Sequence, residues 1–343
     1  MVPKVSVIMA VYNGERFVRE AIDSILTQTF GDFELIIVDD GSTDGTPQIL
    51  AGYGDPRLRV LRNASNIGQA CARNRALAIA EGELIAVQDA DDVALPERLR
   101  TQVSFLDAQP EVGVLGSSWR AIDVDGNDLG SIRVLADSLE IGWRLLFTNC
   151  LCHSTVMYRR ALIGKIGAYP EGKEFRFSED YHLWCRAAKV TKIFMLPIPL
   201  VKYRETPGSA TGANIVEQLR QAGVVAKSYM ASFLDGYPID DSLWSGVTNF
   251  WIKHPGAANT LTALQAWRLA SFLPAVERCF HAAWTGEKER ILHHRRLVYW
   301  LWGKHAFAMA CRYRGAGVTG RAALALSGAK FLAYACTPPR AAR

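Results

Sequence analysis

The sequence predicts an α/β fold, a mainly parallel sheet flanked by helices, followed by an all-helical C-terminal region. Three observations predict it. Short apolar runs alternate with segments of helical spacing along the first part of the chain. Two of those runs, Phe33–Val38 and Leu84–Val87, end abruptly in aspartates. Residues 216–343 keep helical spacing and are rich in Ala, Leu and Trp.

The elements follow in order. Val5–Val11 has little polar content, as expected of a parallel strand covered on both faces. Tyr12-Asn13-Gly14 is a turn. From Glu15 to Thr29, apolar residues at 17, 18, 21, 22, 25 and 26 follow helical spacing, and Gly31 is the expected stop. Phe33–Val38 is the second strand. A helix is predicted over Pro47–Tyr53, a short strand over Leu58–Leu61, a loop at Asn66-Ile67-Gly68 and a helix over Ala70–Ala80. Leu84–Val87 is a buried strand that runs into Asp89, Asp91 and Asp92, with another helix starting near Pro96. Right-handed crossovers place both acidic clusters on one sheet edge, where open α/β sheets bind ligands.

Composition narrows the class. The chain has 343 residues, enough for a large domain and a smaller one, with 49% hydrophobic and 21% charged residues, as in ordinary globular proteins. No apolar stretch is long enough to span a membrane. Met1-Val2-Pro3-Lys4 leads straight into a strand and does not read as a signal peptide. Seven scattered cysteines without a CxxC pair predict reduced thiols and a cytoplasmic setting. The net charge of +5 is uneven: residues 1–215 hold 23 basic against 27 acidic side chains, residues 216–343 hold 16 against 7. The division 1–215 and 216–343 is the predicted domain boundary.

Three like charges within residues 89–92 repel, and leaving them unpaired near a core is costly. Hard oxygen ligands of this kind suit Mg or Mn, which keep several waters and take further ligands from phosphate. The pattern therefore predicts a metal–diphosphate site, against the alternative of a solvated acidic turn before a helix. Other readings meet obstacles. A calcium loop starting at Asp40 lacks the bidentate Glu at its twelfth position, where Ala51 stands. A nicotinamide dinucleotide site lacks GxGxxG after the first strand. Asp89-Ala90-Asp91 does fit the spacing of a phosphotransferase of the haloacid dehalogenase type, the strongest enzymatic rival.

Four motifs in sequence order, Val5 to Gly14, Leu35 to Thr46, Asn66 to Asn74 and Gln88 to Asp92, together resemble the family 2 glycosyltransferases. The match extends to about residue 210 through later motifs. The resemblance implies a GT-A fold and inverting transfer of a single sugar from a nucleotide-sugar, with UDP-sugar expected, to a glycan or lipid-linked acceptor in cell-surface polysaccharide biosynthesis. It implies that Val11, Tyr12, Glu15, Asp39, Arg73, Asp89 and Ala90 contact the donor, Asp39 through the ring N–H of the base. Asp91 and Asp89 would hold a divalent metal, Mn or Mg. The pair Glu179-Asp180 would supply the catalytic base, with Asp180 preferred. The alternative for that pair is helix capping, with Ser178 as cap and acids in the first turn.

His153 matches a strand lining the acceptor side, and Arg204 stands where it would meet phosphate; packing and a salt bridge are the respective alternatives. Two departures are visible. Ala10 replaces a common proline, and Thr206 stands where relatives often carry a histidine. The QxxRW motif of processive synthases is absent, and Gln265-Ala266-Trp267-Arg268 only echoes it.

The C-terminal region predicts helices over Leu261–Phe272, Arg296–Ala310 and Arg321–Tyr334, the last two suggesting a helical hairpin. Six of the nine tryptophans lie in residues 216–343, beside basic residues such as Arg295. That pattern predicts peripheral association with the cytoplasmic face of a membrane, with core packing as its alternative. No nucleic-acid-binding module is present. A functional alternative is a catalytically silent nucleotide-sugar-binding or scaffold protein, with Thr206 as its support.

Overall fold

The structure is a computed structural model that describes residues 2–134, 137–206, 214–251 and 263–284, with single residues 291, 294, 295, 298 and 302. It divides into two compact units, Met1–Leu145 with Asn149–Val225, and Leu146–Thr148 with Ala226–Arg343.

The first unit is built on β1 (Val5–Val11), β2 (Phe33–Asp39), β3 (Leu58–Arg62) and β4 (Leu84–Val87). All four run parallel, with β1 between β2 and β4 and β3 outside β2. Every residue of β2 and β4 is buried. Continuous apolar runs are what such doubly covered strands require. Odd-numbered residues of β1, namely Val5, Val7, Met9 and Val11, join one core cluster with Val18, Ala21, Ile22 and Ile25. Those four lie on α1 (Val18–Leu26) at helical spacing.

Helices α2 (Thr46–Ala51), α3 (Gln69–Ile79) and α4 (Arg98–Ala108) follow β2, β3 and the acidic turn after β4. Helix α1 ends at Leu26, short of the predicted Gly31, because the chain leaves the helix at Thr27, whose hydroxyl caps back to the Asp23 carbonyl at 2.7 Å. Likewise α2 stops before Tyr53, at Gly52.

Beyond β4 the sheet is mixed. Its strands are β5 (Val93–Ala94), β6 (Val112–Ile122), β7 (Asp128–Ile132), β8 (Met157–Arg159) and β9 (Lys192–Arg204). The order across the sheet is β3-β2-β1-β4-β8-β6-β9-β5, with β7 paired to β6. Strand β8 lies antiparallel to both β4 and β6, whereas β9 runs parallel to β6. The β6–β9 register slips between Ser117 and Ser118, opposite the segment holding Pro197 and Pro199. Proline has no N–H to give the ladder, so a bulge there is expected. Helices α5 (Ser138–Arg144), α6 (Ala161–Ile166) and α7 (Glu179–Ala187) complete the sheet's cover, and α8 (Ile215–Ala231) begins in this unit.

The second unit contains the end of α8, then α9 (Asp241–Trp251) and α10 (Ala263–Ala283). The predicted helix Leu261–Phe272 instead runs on through Pro274. Burial of Phe272, Leu273, Val276 and Phe280 offsets the lost backbone bond. Arg295, its side chain 38% exposed, meets the buried Glu277 at 2.6 Å, and Trp302 is fully buried. Except for Val298 and Trp302, the predicted segments Arg296–Ala310 and Arg321–Tyr334 lie outside the described residues. Among the described residues no helix is long and apolar enough to cross a membrane.

Candidate active site

The C-terminal edge of the parallel strands is closed by four loops that hold one another. After β1, the Asn13 amide donates to Ser42 Oγ and its Oδ1 accepts from the Thr43 amide, each at 2.9 Å. The Gly14 amide reaches Thr46 Oγ1 at 2.9 Å, and Glu15 Oε2 accepts from the Gly45 amide at 2.6 Å. The loops after β1 and β2 are thus one hydrogen-bonded unit.

Asp39 and Asp40 divide their work. Asp40 accepts from Asn63 Nδ2 at 2.6 Å and from the Ile67 and Gly68 amides at 3.0 and 2.8 Å, which fixes the loop entering α3. Between them and that loop, Gly41 has φ of 76° and passes so close to the Ser65 backbone that a Cβ would sit 2.6 Å away. Asp39 is 1% exposed; its Oδ1 accepts from the Ser42 amide, and Arg62 Nε stands 3.3 Å from Oδ2 without hydrogen-bond alignment.

Arg73, on α3, is the hub. It is buried, and its guanidinium donates to Asp89 Oδ1 and Glu179 Oε1, both at 2.8 Å. Ser154 Oγ donates to Asp89 Oδ2 at 2.9 Å. Although burial works against its charge, Arg73 and Ser154 hold the Asp89 carboxyl below the usual carboxylate range.

The acidic turn is fixed from behind. Arg98 is wholly buried, donating to Gln88 Oε1 and to the Val87 carbonyl at 2.7 Å each. Gln88 in turn donates to the backbone carbonyls of Asp89 and Asp92 at 3.1 and 2.7 Å. From the other side, Arg204 is buried and gives its Nε to the Asp91 carbonyl at 2.9 Å, its Nη1 to the Asp123 carbonyl at 3.2 Å and its Nη2 to Glu20 at 2.6 Å. The Arg204 amide donates to Asp92 Oδ1 at 2.8 Å. Arg204 therefore braces the turn, which is the salt-bridge alternative.

Glu179 and Asp180 open α7. Ser178 does not cap it: its side chain makes no cap hydrogen bond, and its Oγ is buried without a partner. Glu179 is 5% exposed and ion-paired to Arg73. Burial pushes its carboxyl up to about 7 against the pull of Arg73. Asp180 is only partly buried; Asn149 Nδ2 donates to its Oδ2 at 2.8 Å, and burial raises its carboxyl above the ordinary value. His153 is 9% exposed and packs on Tyr169 and Trp184, ring centroids 5.7 Å apart in each case. Burial, then the nearby Arg73 charge, lowers it to about 3, so the ring is neutral.

A cavity of about 610 Å³ opens at this edge, within the size range of small-molecule sites. Among the predicted residues, Val11, Tyr12, Arg73, Asp89, Ala90, Asp91 and Arg204 line it. Glu15, Asp39, His153, Glu179 and Asp180 are not on its wall. Glu15 serves the loop pair, His153 packs, and Glu179 reaches the wall only through Arg73. Residues that sequence reasoning passed over also line it, including Asn13, Asp40, Gln69, Arg176, Phe177 and Tyr203. Asp40 had a sequence signal, its place beside Asp39; Arg176 had none.

The residues present fit a small hard cation at one point. No side chain donates to the Asp91 carboxylate among the described residues, and burial followed by the Asp89 charge raises it to about 6. Thr206 Oγ1 is buried at the same cavity without a partner. Both Asp89 oxygens already accept hydrogen bonds. Among the described residues no set of three His, Cys, Asp or Glu side chains converges on one point. Such a donor set suits Mg or Mn, whose remaining ligands come from water and phosphate. The phosphotransferase reading needs Asp89 as a free nucleophile, and Arg73 and Ser154 occupy it.

Comparison with known proteins matches residues 6–167 to the family described as "Glycosyl transferase family 2". The chain is 39% identical over 188 residues to EpsE of Bacillus subtilis (strain 168), covering 54% of this chain and 66% of that one. It is 30% identical over 224 residues, 64% of this chain and 85% of the relative, to WfgD of Escherichia coli, a UDP-Glc:alpha-D-GlcNAc-diphosphoundecaprenol beta-1,3-glucosyltransferase. Among solved structures, residues 1–349 of S. aureus TarS in complex with UDP-GlcNAc superpose with a TM-score of 0.56, covering 96% of this chain and 91% of that one at 20% identity. That likeness is one of fold.

Proposed function

The chain belongs to glycosyl transferase family 2, and we propose that it is an inverting, divalent-metal-dependent transferase that moves one sugar from a UDP-sugar to a glycan or lipid-linked acceptor. The observation that carries this reading is Arg73 between Asp89 and Glu179, 2.8 Å from each. It ties the loop that would face the donor to the helix that bears the base. WfgD, which takes UDP-Glc and a lipid diphosphate acceptor, supports the substrate classes, and a TarS structure in complex with UDP-GlcNAc fits a UDP-sugar as donor.

In this reading the loops after β1 to β3 hold the base and ribose, with buried Asp39 shaping the second of them through the Ser42 amide. Asp91, with Asp89 and the Thr206 hydroxyl nearby, would hold the cation. When bound, the cation would neutralise charge that builds on the departing diphosphate. The acidic pair divides its roles. Glu179, buried and ion-paired, holds Arg73 in place. Asp180, the partly exposed member, takes the acceptor's proton. Its raised carboxyl makes it a better proton acceptor than a solvated aspartate. Inversion follows if the acceptor hydroxyl attacks from the Asp180 side, opposite the leaving diphosphate.

A thermal-shift screen of nucleotide-sugars with Mn tests the reading, because a ligand of the folded state raises its melting temperature by mass action. A rise with a UDP-sugar, lost in Asp91→Asn, is expected. No rise with any member of the panel contradicts it. Binding with no transfer to any acceptor would favour a silent binding protein, the reading that Thr206 supports.

A further inference from the structure

Three arginines line the cavity, Arg73, Arg176 and Arg204. Two are committed to the protein. Arg73 is held by Asp89 and Glu179, and Arg204 by Glu20 and the carbonyls of Asp91 and Asp123. Arg176 differs. It sits on the turn just before α7 and is exposed, and its guanidinium lies over the Phe177 ring, 5.8 Å from the centroid. Among the described residues no carboxylate pairs with it, and its backbone amide donates to the Lys173 carbonyl.

The cavity wall also includes the acidic residues Asp40, Asp89 and Asp91. A diphosphate entering such a wall brings further negative charge and needs a counter-charge that is still available. A guanidinium with a free fork of N–H donors is the side chain best shaped to meet phosphate oxygens in pairs. We infer that Arg176 is the phosphate-binding residue of this cavity. The inference rests on the transferase reading above and deepens it. The phosphate has two sources, the donor's diphosphate or a diphosphate on a lipid-linked acceptor, and the chemistry of the contact is the same.

The test is calorimetric titration, with Mn present, of UDP, GDP, uridine and farnesyl diphosphate into wild type, Arg176→Ala and Arg176→Lys. Because Arg176 is exposed, both variants should keep the wild-type melting temperature, which is measured first. The expected result is a loss of tenfold or more in affinity for the nucleoside diphosphate in Arg176→Ala, partial recovery in Arg176→Lys, and no change for uridine. Unchanged nucleoside diphosphate binding with the same loss for farnesyl diphosphate also supports the inference and assigns the phosphate to the acceptor. Unchanged affinity for all diphosphates overturns it. If wild type binds none of the diphosphates, the transferase reading itself fails, a result distinct from an unaffected variant.

Discussion

Arg73 Nη1 donates to Glu179 Oε1 at 2.8 Å, joining residues 106 apart in the chain, both of them buried. The same guanidinium reaches Asp89. One cation therefore neutralises two carboxylates that belong to different loops, and the two loops cannot shift independently while it stays in place.

Removing that cation leaves the buried Glu179 carboxylate without its ion pair and the partly buried Asp89 with Ser154 alone. Breaking a buried pair costs about 3–5 kcal/mol. Arg73→Ala is expected to lower unfolding free energy by about that amount in urea titration, and Arg73→Lys by less. A loss within about 0.5 kcal/mol, the range of an ordinary surface substitution, would mean the pairs do not hold the fold.

The acidic pair of α7 should separate by function. Asp180→Asn is expected to reduce kcat by about 10²–10⁴-fold, the usual contribution of a positioned base, with nucleotide affinity unchanged. Glu179→Gln is expected to lower the melting temperature more than Asp180→Asn does, because it weakens the Arg73 pair. Steady-state kinetics and calorimetry on both variants check the split.

Asp40 supports the loop entering α3 through three donors. Asp40→Ala leaves the buried Asn63 amide unsatisfied, at about 1–3 kcal/mol, and frees the part-buried Ile67 and Gly68 amides to water. The expected signature is faster amide exchange across residues 63–68 together with weaker nucleotide binding. Unaltered exchange there would show that the loop holds itself.

His153 gives a pH signature. Its folded pKa of about 3 lies below its ordinary value of 6.5, so the unfolded chain takes up a proton that the folded chain refuses between those limits. Stability attributable to this ring is complete above about pH 6.5 and falls as pH drops toward 3. The slope is at most about 1.4 kcal/mol per pH unit for one proton. A His153→Phe variant should show a shallower loss of stability from pH 6.5 to 4 than wild type. Equal slopes would mean the ring is protonated in the fold.

The fold was legible where periodicity was strong. β1, β2 and β4 are short apolar runs, and the acidic ends of β2 and β4 do share one sheet edge. What followed Ala94 was less legible, because β8 is a three-residue strand and its place between β4 and β6 depends on partners far away in sequence. At the site, residue type predicted location better than task. Asp39 and Asp40 are neighbours on extended chain, so they point to opposite sides, and only the fold shows that Asp40 is the one on the cavity wall. Arg204 looked available for phosphate, but its donors go to Glu20 and to carbonyls that the sequence does not bring near it. His153 could not be told from a ligand, since the rings of Tyr169 and Trp184 that enclose it come from other segments.

A crystal structure of the protein with a nucleoside diphosphate and Mn tests the account most directly. An anomalous Mn peak is expected within coordination distance of the Asp91 carboxylate, with the diphosphate beside it in the cavity that Arg73 and Asp89 border. Nucleotide bound elsewhere on the chain, or Mn with no contact to Asp91, would contradict it.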